Sequence, residues 1–263
     1  MSSAVLDMEA GEKVSTQGTV STDRPSLVRW IGQPVLCIAA VVICLIYVNT
    51  ASVSVTEQRS LSTGTLLTLL RQHMVISLSA TVLVVLIAVP LGIVLTRGSL
   101  RRFSKPVMTV AGFGQAAPAI GLIALGAVIF GIGAKGAIIA LTVYGILPIV
   151  ANTVAGLDGV DPRLVEASRG MGMSNMATLL RVELPLALAV IVAGIRTALV
   201  LIVGTASLAA FTGAGGLGEP ITTGIKLQQN VTLMVGAILV AALALFIDWL
   251  ARLVELVAAP KGL

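Results

Sequence analysis

The chain has 263 residues, 57% hydrophobic and 11% charged, with a net charge of +5 and a mean hydropathy of +1.03. A soluble domain carries about 25% charged residues, so charge this sparse, set between long uncharged blocks, excludes an ordinary soluble fold and indicates a polytopic membrane protein. The basic balance does not signal nucleic acid, because the lysines and arginines sit at the ends of apolar blocks rather than in a patch interleaved with aromatics.

Residues 1–29 are polar, rich in Ser and Thr and free of apolar periodicity, which predicts a disordered cytoplasmic tail. They are too long and too acidic for a good cleaved signal peptide. Ile31 to about Asn49 forms a first span, with Trp30 at the interface and Arg24 and Arg29 inside. Cys37 and Cys44 fall within it and read as small apolar side chains facing lipid or a neighbour, not as a disulfide or metal pair. A polar outer segment follows, Thr50 to His73, with a short amphipathic helix at Leu61–Leu70. Together these make an N-terminal unit, 30–72, ahead of a main membrane domain over 73–259.

In that domain the second span is Val75 to Thr96. The third is Pro106 to about Phe130, interrupted by Gly112, Gly114, Gln115 and Pro118. The fourth runs from about Gly136 to Gly156 and the fifth from Leu186 to about Ala210. A glycine-rich outer loop, Phe211 to Ile225, leads to the sixth, Val231 to Leu250. Each has about 20 residues, enough to cross a hydrocarbon core of about 30 Å. This reading places twelve Lys and Arg residues inside, among them Arg97, Arg101, Arg102 and Lys105. Four lie outside: Arg59, Arg71, Lys135 and Lys226. Only Arg196 falls within a span, so the asymmetry predicts six spans with both termini cytoplasmic.

Between the fourth and fifth spans lies Asp161 to Pro185, a stretch dense in charge: Asp161, Arg163, Glu166, Arg169, Arg181 and Glu183, with Asp158 just upstream. It reads as two short helices. Asp161 caps the first, with Pro162 in its first turn. Leu164, Ala167, Ser168 and Met171 share a face at helical spacing. Gly170 and Gly172 break that helix, Ser174 caps the second, and Pro185 closes it. No metalloprotease, nucleotide-loop, serine-hydrolase or zinc motif is present, so the chain alone offers no catalytic machinery.

Glu166-Ala167, Gly170 and Pro185 resemble the cytoplasmic coupling loop of permease subunits of binding-protein-dependent ABC importers. That pattern is Glu-Ala-Ala, three residues, a glycine and a later proline; here Ser168 stands in place of the second alanine. The resemblance extends over roughly 72–263. The stretches at 72–97, YGILPIVANT at 144–153, EASRGMGMS at 166–174, ELPLALAVIVAGIRTA at 183–198, LAAFTGAGGLGEPITTGI at 208–225 and the terminal PKGL are similar to the osmoprotectant permeases. Those are membrane subunits of glycine betaine, carnitine and choline uptake systems. Compact members of that family do not account for the first 70 residues.

The resemblance implies an all-α polytopic fold of about six transmembrane helices with a type I importer permease core of the methionine-transporter kind. It implies a bacterial cytoplasmic-membrane subunit, not itself an enzyme, that binds no cofactor. ATP and Mg²⁺ would sit on a partner ATPase subunit. The other implied partners are a second copy or a related permease, an extracytoplasmic substrate-binding protein and membrane lipid. The coupling residues would be Arg163, Leu164, Glu166, Ala167, Gly170, Met171, Gly172 and Pro185. Gly170 would permit a sharp turn and a close approach. Gly213, Gly215, Gly216, Leu217 and Gly218 would form the outer loop that meets the binding protein; a flexible connector is the plainer reading.

Arg196, as a lone charge in a span, costs several kcal/mol unless it faces water or a partner. It is a pathway or gate candidate, or an arginine that snorkels or bonds neighbouring carbonyls. Gln115, Pro118, Tyr144 and Asn152, with Pro148, are pathway-lining candidates or helix-packing residues. His73, near an outer span end, reads as interfacial rather than as a proton relay. Two other classes fit less well. An ion-driven secondary transporter predicts paired acidic or polar residues deep in the spans and an inverted repeat, and none is apparent; a membrane enzyme or scaffold predicts converging His, Asp and Glu at one face, which a single histidine does not supply. A permease for methionine or another small solute is the nearest rival.

Overall fold

The computed structural model describes residues 27–50 and 54–258. The tail reading, the anchoring by Arg24, Arg29 and Trp30 and the terminal PKGL resemblance lie outside the described residues and side chains. Among the described residues every element is helical. In chain order they are α1 (Leu27–Thr50), α2 (Val55–Ser60), α3 (Thr63–Leu95), a 3-10 segment Gly98–Phe103, α4 (Ser104–Ala116), α5 (Ala119–Phe130) and α6 (Ala134–Asp158). Then come α7 (Pro162–Gly170), α8 (Asn175–Thr178), a π turn Leu179–Glu183, α9 (Leu184–Thr205), a 3-10 segment Ala206–Thr212, α10 (Gly218–Leu227) and α11 (Asn230–Ala258).

Two boundaries differ from the sequence reading. The expected amphipathic helix at Leu61–Leu70 is the first part of α3, which Ser62 caps by accepting from the Thr65 amide. The separate short helix is α2, fixed by a capping box between Ser54 and Glu57. At 33 residues α3 is about 50 Å long, more than a bilayer core needs, so one end projects beyond it. The third span is not continuous. α4 and α5 meet at 95°, because Pro118 offers no amide and pushes Ala117 out of helical backbone, to ψ 142°.

Five helices are long and apolar enough to cross a membrane, and the bent pair makes a sixth crossing if counted as one. Contacts at its two ends argue for counting it. The segment leading into α4 holds Arg101 3.2 Å from Asp158 at the end of α6. Beyond α5, the Gly133 amide donates to the Thr212 carbonyl, at the end of the 3-10 segment that follows α9. The pair therefore runs from one face of the bundle to the other. The ends of α3 and α6, the start of α9 and the α7–α8 hairpin all lie on the first face.

The core is where α3, α6 and α9 pack, around Ile76, Val84, Leu141, Ile149 and Ile202, all buried. Small side chains let these helices approach closely. α1 lies antiparallel to α11: Gln33 donates to the Leu245 carbonyl and to Asp248, while Cys44 packs with Val235, Leu61 and Leu66. Both cysteines are free and buried, so of the two sequence readings they face a neighbour rather than lipid. This antiparallel pairing puts the start of α1 and the end of α11 on the hairpin face.

Candidate functional site: the charged hairpin

α7 begins as its sequence dictates. The Asp161 side chain accepts from the Arg163 amide, and Pro162 occupies the first turn, where its missing amide costs nothing. The end is a Schellman turn: the Met173 amide donates to Ser168 and the Gly172 amide to Arg169. That turn needs left-handed backbone at its fifth position, and Gly172 supplies it with φ +84°. Gly170 does not; it is the last helical residue, and a Cβ there would meet nothing. Three residues separate Ser168 from Gly172, so the sharp turn expected at Gly170 is made at Gly172 instead.

The expected shared face divides as well. Leu164, Ala167 and Met171 are exposed, Met171 to 77%, while Ser168 is buried to 1%. Its hydroxyl donates to the Val165 carbonyl at 2.8 Å and lies 3.1 Å from the hydroxyl of Thr178, itself fully buried. Ser174 caps α8 through the Ala177 amide. The hairpin thus closes on a small polar contact and turns an apolar ridge outward: Leu164, Met171, Met176 and Leu180. Sequence reasoning missed Thr178, whose only signal was a helical position opposite Ser168.

Pro185 does not close the second short helix. The chain runs on through the π turn, where the Leu184 amide reaches back five residues to the Leu179 carbonyl. That wider turn makes room for a proline near the head of α9 without breaking the rod. Within it Glu183 is buried, and Arg97, just past the end of α3, grips both of its carboxylate oxygens. This pair ties the hairpin to α3 as well as to α9.

With this geometry in place, three comparisons bear on identity. The family model described as "Binding-protein-dependent transport system inner membrane component" matches residues 88–256. The chain belongs to this family. It is 40% identical over 200 residues to the glycine betaine/carnitine/choline transport system permease protein OpuCB of Bacillus subtilis, spanning 76% of this chain and 91% of that one. It is 39% identical over 205 residues to the osmoprotectant import permease protein OsmW of Salmonella typhimurium, spanning 76% and 94%. An inward-facing structure of the MetNI methionine ABC transporter superposes with a TM-score of 0.64 at 24% identity, over 74% of this chain and 96% of that one, which shows the fold.

In this permease the pathway candidates fall into separate groups. Gly114 of α4 packs on Val143 of α6, so Gln115 and Tyr144 lie at one level beside the Pro118 bend. Both are half-buried, and neither side chain has a hydrogen-bond partner among the described residues. Asn152 lies two turns further along α6. Its amide donates to the Pro148 carbonyl at 2.8 Å, and its Cβ fits against Gly194, so it packs α6 on α9. Arg196 is not a lone charge. Its Nε is 2.8 Å from Asp248 and its Nη1 2.9 Å from Glu255, both on α11, and Asp248 also meets Arg252 at 3.1 Å. The sequence reading missed these acids because they are 52 and 59 residues away along the chain.

The glycine loop is shorter and more enclosed than expected. Only Gly213 to Leu217 are non-helical, and of the five outer-loop candidates Gly215, Gly216, Leu217 and Gly218 are buried. Gly215 and Gly216 have φ +81° and +85° and press on Gln72 and His73, where the Gly216 amide donates to the Gln72 side chain. A surface facing outward at those four residues is therefore corrected; Gly213 alone of the five is exposed. His73 is not interfacial either. It is fully buried, with Nε2 2.9 Å from the Val203 carbonyl.

Proposed function

We propose that this permease forms the membrane pathway of an importer for a compatible solute such as glycine betaine, choline or carnitine. The names of its relatives, at about 40% identity over most of their length, support the solute class. The observation that carries the mechanism is the hairpin: capped, closed by its own hydroxyls, and presenting exposed apolar side chains among its charged ones. Such a surface is suited to docking in a groove of an ATPase subunit, with Leu164 and Met171 as knobs and Arg163 and Glu166 on the rim.

On this reading ATP and Mg²⁺ bind the ATPase. Motion of α7 reaches α9 through the π turn and α3 through Arg97 and Glu183. A second copy or a related permease completes the pathway, a binding protein delivers the solute, and the hairpin face with both described chain ends is the cytoplasmic side of a bacterial inner membrane. Gln115 and Tyr144, unpartnered beside the α4–α5 bend, are the pathway candidates this geometry favours. The decisive test is uptake of labelled betaine, choline and carnitine under salt stress by cells with and without the chain. A gain for at least one is expected. No difference for any of them sinks the solute class.

A further inference from the structure

Between the end of α3 and the hairpin lies a cavity of about 520 Å³, lined by Thr96, Arg97, Arg169, Asn175, Met176 and Leu179 among others. We propose that it receives an acidic side chain of the ATPase subunit, an inference that rests on the hairpin being the ATPase dock.

The first support is unmatched positive charge. Arg97 spends both terminal nitrogens on Glu183, yet its Nε is buried without a partner. The Arg169 guanidinium makes no ion pair or hydrogen bond among the described residues. One carboxylate entering the cavity meets a free guanidinium whose planar fork matches its two oxygens.

The second support is continuity with the ridge. Met176 is both a cavity wall and, like Leu164, Met171 and Leu180, an exposed apolar side chain of the hairpin. A socket built from arginine and methionine has residue types enriched in protein interfaces. The walls come from the hairpin, which this reading assigns to the ATPase dock, and from the residues at and just past the end of α3. That favours a protein occupant over a lipid headgroup. A carboxylate held here would also sit beside the Arg97–Glu183 pair, so the same contact would report on α3 and on the head of α9.

The test uses the full chain in nanodiscs, titrated with its cognate ATPase subunit at low and high salt. Arg169→Gln is expected to weaken binding roughly fivefold at low salt and to flatten the salt dependence, while Arg169→Lys keeps most of both. Met171→Asp probes the dock itself and is expected to abolish binding at either salt. Unchanged affinity and salt dependence in Arg169→Gln, with Met171→Asp still defective, overturns the acidic-socket proposal and leaves the dock standing. Full binding by both variants overturns the two together. Loss of co-purifying anionic lipid from Arg169→Gln, with ATPase affinity intact, assigns the cavity to a headgroup and also overturns the proposal.

Discussion

The hydroxyls of Ser168 and Thr178 lie 3.1 Å apart, sealed from solvent at the crossing of the two hairpin arms. The importer pattern has alanine at the first of these positions, so this permease holds its hairpin shut with a bond that the pattern does not require. Ser168→Ala leaves the Thr178 hydroxyl buried and unmatched, at a cost of about 1–3 kcal/mol. Ser168→Ala with Thr178→Val removes both partners and should recover most of that loss. Hydrogen exchange of the hairpin amides reads the difference. Equal protection in the single and double variants would show that the contact does not hold the arms together.

Arg97 and Glu183 should behave as a strongly coupled pair. Removing Arg97 strands a buried carboxylate, which in a closed interior costs about 3–5 kcal/mol. Because Arg97 is itself one-third exposed, about 2 kcal/mol is the expected loss for Arg97→Ala. Glu183→Gln, which keeps the shape and discards the charge, should cost less. Thermal unfolding of the detergent-solubilised permease checks the order, and a larger loss for Glu183→Gln would contradict it.

Asp248 is the hub that joins α1, α9 and α11, through Gln33, Arg196 and Arg252. Asp248→Ala should therefore destabilise the bundle more than Gln33→Ala, since it leaves Arg196 only Glu255, whereas loss of the uncharged Gln33 leaves Asp248 both of its arginines. Gln33→Ala should act locally, loosening α1 from α11. Crosslinking yield between α1 and α11 separates a local effect from a global one. If Gln33→Ala lowers the melting temperature as much as Asp248→Ala, the hub assignment fails.

Much of the fold was legible in the sequence because hydrophobic length and basic flanks are both read residue by residue. α1, α6 and α9 follow from them within a few positions, while α11 begins where expected but runs on from Leu250 to Ala258. What escaped depends on pairing across the chain. Arg196 looked isolated because its acids come from α11, and His73 looked interfacial because the Val203 carbonyl that receives it is 130 residues on. Gly215 and Gly216 looked like loop surface because a glycine's sequence does not say whether it bends in water or makes room for a neighbour. At the hairpin the caps were legible at Asp161 and Ser174, where one side chain meets an amide two or three residues away. The continuation through Pro185 was not, because a proline's usual effect is to stop a helix and only the π turn absorbs it here.

The two hairpin glycines give the sharpest separation between folding and docking. Gly172 holds φ +84°, a conformation that costs other residues about 1–2 kcal/mol, and β-branched valine fits it poorly. Gly172→Val should destabilise the hairpin and reduce uptake together. Gly170 has helical backbone and open space around it, so Gly170→Ala should leave the isolated chain intact and even favour α7 by up to about 1 kcal/mol. Any loss of uptake in that variant must then come from a partner lying against α7. Measuring melting temperature and solute uptake on both variants distinguishes the cases: normal folding with lost transport at Gly170 locates the docked surface, and normal folding with normal transport at Gly172 would remove the Schellman turn from the mechanism.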